Sequence, residues 1–122
     1  MNKEWRFAGL KTGSGNVLKD FLSKDVLLRA RFDSALRRLR VMQKWPSTFY
    51  DSSMGDGIGE IRIDCKKVEY RFYGTFGPGS HQFTVILASA DKKRQQKTIN
   101  AAKDRKKSLD LNRAWIVEDY DV

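Results

Sequence analysis

Cysteine, histidine and proline are almost missing from this chain of 122 residues, which has one Cys, one His and two Pro. A lone cysteine, Cys65, cannot form an internal disulfide, which fits a reducing compartment. Cys65 and His81 at unrelated positions cannot assemble a zinc site, and no partner base activates Cys65 as a nucleophile. Long apolar runs are missing too, and none approaches the roughly 18 residues of a membrane span. Met1-Asn2-Lys3-Glu4-Trp5 has no apolar core of the kind found in secretory signals. These absences lead us to expect a cytoplasmic chain without membrane, metal or cofactor. The glycine-rich stretch Gly55-Asp56-Gly57-Ile58-Gly59 has neither a phosphate-loop lysine nor the dinucleotide spacing. Its Gly55 and Asp56 also misplace a calcium loop that would start at Asp51, so it reads as a turn.

What the chain has in excess is positive charge: 24 Lys and Arg against 15 Asp and Glu, a net +9. Such a balance suits nucleic acid, an anionic membrane surface or an acidic protein. Position narrows the choice. Lys92, Lys93, Arg94, Lys97, Lys103, Arg105, Lys106 and Lys107 crowd one segment, opposed only by Asp104. A membrane-surface helix needs a broad apolar face, and Ile99, Ala101 and Ala102 supply a thin one. After Ser108 the sign reverses through Asp110, Glu118, Asp119 and Asp121, giving an acidic tail over 108–122.

Periodicity predicts an α+β chain with one domain over 1–107. Trp5, Phe7 and Gly9 alternate with polar neighbours as a first strand. Asn16 is a candidate N-cap for a short helix carrying Val17, Leu18, Phe21 and Leu22. Ser23 is a candidate cap for a longer one, whose stripe is Leu28, Phe32, Ala35, Leu39 and Met42. Pro46 predicts its end near Lys44 or Trp45. Three strands follow, at 59–63, 69–73 and 83–87, with turns at Lys66-Lys67 and Gly77-Pro78-Gly79. A third helix is expected over 93–107. The expected sheet is antiparallel and twisted, with the first two helices on one face and the third at its margin.

Alternation along a strand places Arg71 and Tyr73 opposite Tyr70 and Phe72. Tyr73 is then available to stack on a base or line a groove. Arg62 and Arg71 read either as exposed residues making cross-strand contacts or as phosphate ligands. Cations at 92–97 would sit at a helix N-terminus against the macrodipole, at a cost of ~0.3–1 kcal/mol each when exposed. An arriving phosphate removes that conflict, so Arg94 and Lys97 are candidate RNA-binding residues. Lys103, Arg105, Lys106 and Lys107 suit the helix C-terminus, and His81 reads as a hairpin-turn residue.

The order of these parts resembles the RelE/HigB superfamily of type II toxin–antitoxin toxins, especially its phage-derived HigB-like branch. Trp5 and Phe7 are similar to the family's opening strand, Asn16 to Leu22 to its short helix, and 25–43 to its long one. Gly55-Asp56-Gly57-Ile58-Gly59-Glu60-Ile61-Arg62 resembles the entry to its central sheet, and Tyr70-Arg71 its tyr-arg strand. Leu87 to Lys93 resembles the strand that runs into a lys-lys pair, and Ile99, Ala102 and Arg105 the closing helix. The resemblance implies a small RelE-like fold and a metal-independent endoribonuclease, an mRNA interferase that inhibits translation, on or off the ribosome. It also implies a cognate antitoxin, often with a helix-turn-helix domain. Arg71 falls where the family has its catalytic arginine, Arg62 where a helping basic residue stands, and Lys92 and Lys93 at the basic corner. The family's Tyr or His near the closing helix has no counterpart within 94–107, and Tyr120 and Trp115 lie beyond it. Two other expectations remain: a ParE-like, protein-binding gyrase inhibitor, or a non-catalytic nucleic-acid-binding phage accessory protein.

Overall fold

Asn16 decides how the chain leaves its first strand. A computed structural model describes residues 3–90 and 93–122. In it, strand β1 (Arg6–Thr12) turns into the two-residue β2 (Gly15–Asn16) and then into helix α1 (Val17–Leu22). The Asn16 side-chain oxygen accepts from the amides of Leu18 and Lys19 at 2.9 and 3.0 Å, as an N-cap does. Helix α2 (Val26–Leu39) is capped by Asp25, not by the expected Ser23. Asp25 has the extended backbone a cap needs, and its carboxylate accepts from Leu27 and Leu28 at 3.0 and 3.1 Å. Ser23 is still helical and closes α1, its hydroxyl donating to the Asp20 carbonyl at 2.7 Å. Hydrogen bonding from Leu28, its largest cause, holds the Asp25 carboxyl below the usual range. α2 also ends well before Pro46, because the Trp45 indole folds back and donates to the Leu39 carbonyl at 3.0 Å. The same carbonyl also accepts from the Met42 amide at 3.0 Å, so the helix end is closed by two donors.

The remaining elements are β3 (Tyr50–Asp51), β4 (Gly59–Cys65), β5 (Val68–Phe76), β6 (Gln82–Ala90), α3 (Gln96–Asn112) and β7 (Val117–Asp119). Among the described residues the result is a small α+β protein with three helices and one seven-stranded sheet, ordered β2-β1-β6-β5-β4-β3, with β7 also on β1. β4 and β5 form a two-residue hairpin at Lys66-Lys67, both at positive φ (52° and 65°), as such tight turns require. The sheet is mixed, which corrects the expectation of an antiparallel one. β1 runs parallel to β6 with Phe7 opposite Phe83, while β3 to β6 are antiparallel. Parallel neighbours need a long crossover, and everything from β2 to β5 lies between these two in the chain.

Helices cover both faces of the sheet. On one face the stripe residues Leu28, Phe32, Ala35 and Leu39, joined by Leu36, pack with Phe72, Phe83, Ile61 and Val85, and Met42 is half-buried at the edge. On the other, Ile99 and Ala102 of α3 meet Leu10, Ile58, Tyr73 and Ile86. α3 therefore lies on the opposite face, not at the margin. It begins at Gln96 and ends at Asn112 instead of spanning 93–107. A bulge helps seat it: Val85 opposes Gly74 and Leu87 opposes Tyr73, leaving Ile86 unpaired between them. A side chain at Gly74 would meet the Thr84 carbonyl oxygen at 2.2 Å, so only glycine fits there. Arg105 donates to the Ile86 carbonyl at 2.7 Å, which answers the bulge from the helix.

The segment 108–122 is built into this body. Its first residues complete α3, β7 pairs with β1, and the buried Tyr120 donates its hydroxyl to Asp33 at 2.5 Å. Among the described residues no helix is long and apolar enough to cross a membrane.

Candidate functional site

Strand alternation assembles the site. In β4, Ile61 and Ile63 turn toward α1 and α2, so Glu60 and Arg62 turn toward α3; in β5, Phe72 does the same and leaves Arg71 and Tyr73 on the α3 side. The register sets Arg62 directly opposite Arg71, and Glu60 opposite Tyr73. Like charges opposite each other on neighbouring strands repel. The Glu60 carboxylate, with no solvent exposure, lies between them and offsets that repulsion.

Glu60 is the centre of a six-membered charge cluster. Arg94, from the segment before α3, donates Nε to Glu60 Oε2 at 3.0 Å and Nη2 to Oε1 at 3.2 Å. The same Nη2 reaches the carboxylate of Asp51 on β3. Arg62 Nε and Arg71 Nε stand 3.7 and 3.8 Å from Glu60 Oε1. Arg71 Nη2 donates to Glu69 Oε2 at 2.8 Å, and Arg62 Nη2 to the Ser47 carbonyl at 2.5 Å. Three guanidiniums thus face three carboxylates. Side-chain exposure separates them: Arg62 and Arg94 are 31% and 30% exposed, and Arg71 only 6%.

The titration behaviour follows from these contacts. Hydrogen bonds to Glu60, then to Asp51, push the Arg94 pKa up and hold its charge. Ser53 first, and then Arg94, hold the Asp51 carboxyl well below the usual carboxylate range. The Tyr73 hydroxyl is buried without a hydrogen-bond partner of good geometry. Burial, and next the negative charge of Glu60, push its pKa up, so it stays protonated.

Of the residues singled out in the sequence, Arg62, Arg71 and Arg94 come together. Tyr73 lies beside them, but its ring is fully buried under α3 and offers no face for stacking on a base. Lys93 is exposed ahead of α3, and Lys97 is exposed in its first turn. Lys92 lies outside the described residues. Because α3 starts at Gln96, Lys93 and Arg94 precede the helix; Arg94 is spent on carboxylates instead of opposing the macrodipole. The sequence reading missed Glu60, Asp51 and Glu69. Alternation already placed Glu60 on the face of Arg62, and that was the available signal. Among the described residues no group of three or more His, Cys, Asp or Glu is arranged to hold a metal ion.

Compared with protein-family models, curated proteins and solved structures, the chain matches none of them. The likeness to RelE/HigB toxins therefore rests on the order of residues alone.

Proposed function

We propose that this protein is a RelE/HigB-like toxin of a type II pair: a metal-independent endoribonuclease acting on mRNA in the cytoplasm. A cognate antitoxin would hold it silent. The observation that carries this reading is the convergence of Arg62, Arg71 and Arg94 on the buried carboxylate of Glu60. RNA cleavage by the ribose 2′-hydroxyl needs a proton acceptor beside that hydroxyl and cations beside the phosphate. Water at the site takes the 2′-proton as the 2′-oxygen–phosphorus bond forms, while the fully buried Glu60 holds the guanidiniums in place. The bond from phosphorus to the 5′-oxygen breaks, that oxygen takes a proton from water, and a 2′,3′-cyclic phosphate remains. Charge gathers on the phosphate oxygens in between, where preorganised guanidiniums are most effective. The half-exposed Arg62 and Arg94 meet the phosphate first. Arg71 stands behind them and, with Glu69, fixes the position of Glu60. Lys93 and Lys97 add attraction at the surface.

A second reading is RNA binding without cleavage. It is favoured by the pairing of three arginines with three carboxylates, which leaves the cluster close to neutral until a phosphate displaces an acid. One assay decides between them. End-labelled RNA is incubated with the protein in a metal chelator, with and without ribosomes, and product ends are analysed. Wild type should give 5′-hydroxyl and cyclic-phosphate ends. Arg94→Ala, shown folded by circular dichroism, should cut ~10²–10³-fold more slowly. RNA bound but left intact would select the second reading, and undiminished cutting by the folded variant would reject the site.

A further inference from the structure

Arg62 also lines two clefts that open beside the charge cluster, at the β3–β4 edge of the sheet. The larger, about 1080 Å³, has walls of Trp5, Trp45, Tyr50 and Phe76, with Lys44, Arg62 and the Arg94-paired Asp51 at its polar side. Its aromatics are locked in place. The Trp5 indole donates to the Met42 carbonyl at 2.9 Å and that of Trp45 to the Leu39 carbonyl at 3.0 Å. Phe76 stands 5.0 Å from Trp5 and 5.2 Å from Trp45, yet is 46% exposed. An exposed aromatic held by a fixed aromatic floor offers a ready face to another flat ring. The smaller cleft, about 290 Å³, lies between α2 and β4 and is lined by Arg31, Arg38 and Arg62, with Asp64 as its acid. Arg31 and Arg38 are exposed, and among the described residues neither makes an ion pair. Three cations against one acid, beside an aromatic cleft, match the alternation of phosphate and base along an unpaired strand.

We infer that this edge is a docking track for single-stranded RNA, with a base against Phe76 and neighbouring phosphates on Arg31 and Arg38. Arg62 joins the track to the Glu60 cluster. The inference rests on the RNA reading above and adds to it the strandedness of the substrate and the path it takes. Double-stranded RNA keeps its bases stacked and has none to offer the aromatic cleft. A duplex should therefore lose the aromatic part of the binding.

The test measures binding apart from cleavage, using a short fluorescent oligoadenylate with 2′-O-methyl groups, which cannot be cut. Wild type should bind it better than its duplex and show quenched tryptophan emission in a Trp115→Phe background, where the remote indole is gone. Phe76→Leu keeps apolar bulk but loses the ring face. It should bind roughly 5–100-fold more weakly with unchanged salt dependence. Arg31→Ala with Arg38→Ala should instead lower the slope of log affinity on log salt by roughly 1.4. Wild-type binding in both variants, or unquenched tryptophan, would overturn the track while leaving the cleavage site standing. Unquenched tryptophan would also leave the cleft to a protein partner. A wild type that binds no oligonucleotide would overturn both.

Discussion

Phe72 and Tyr73 are neighbours in β5, and neither has any solvent exposure, yet they face unlike surroundings. Phe72 meets Phe21 and Phe32 from the first two helices, the Phe32 ring centroid 4.4 Å away. Tyr73 meets Ile99 and Ala102 with its ring, and its hydroxyl lies beside Glu60 and the arginines. The first face is closed by apolar area, which is non-directional and tolerates small shifts. The second is closed partly by charge. A buried ion pair adds little net stability when intact, but removing one partner is costly. The first face can therefore carry the stability of the domain, while the second keeps groups in place that water would otherwise scatter.

This contrast is broken most directly by trimming each face in turn. Phe32→Ala should destabilise the domain by about 3–5 kcal/mol in reversible urea unfolding, and Ile99→Ala by about 2 kcal/mol. Equal losses would mean that α3 contributes as much apolar packing as α2, and the contrast would fail. A smaller effect is expected at Tyr120, which ties the segment after α3 to α2 through Asp33. Tyr120→Phe should cost about 1–2 kcal/mol, since the lost bond is to a charged group. No change in the unfolding midpoint would show that this hydroxyl adds nothing to the hold of β7 on β1 and of Arg40 on Val122.

The smallest effect should be a pH dependence confined to the charged face. Asp51 has its pKa lowered in the folded protein, by Ser53 and then Arg94. Its contribution is then complete above the ordinary carboxylate pKa of about 3.9, and is lost as pH falls below it. Unfolding midpoints measured through the acid range should fall less steeply in Asp51→Asn than in wild type. Parallel curves would show that Arg94 holds Glu60 without help from Asp51.

Local patterns in the sequence were enough to place the stripe of α2, the Asn16 cap and the turn at Lys66-Lys67. Each depends on residues within a turn or two of one another. The parallel pairing of β1 with β6 depends on a crossover that no local pattern encodes. β7 was missed because three residues, two of them acidic, carry no periodic signal. The candidate site was half legible. Alternation brings Arg62 and Arg71 together, but Arg94 reaches Glu60 and Asp51 from 34 and 43 residues away. Tyr73 was taken for a surface ring because its burial depends on α3 lying over it. The face of a strand can be read from its neighbours, whereas its depth is set by whatever folds on top.

β1 has one consequence that concerns time more than place. It precedes every other described element in the chain, yet its two long flanks are filled by β6 and β7, which follow it by many residues. Arg40, just after α2, likewise waits for the carbonyl of Val122, to which it donates at 2.6 Å. Contacts so distant in sequence raise the contact order and slow folding. Until they close, an early strand with four successive buried residues has two open edges. A growing chain is then at its stickiest before β6 arrives.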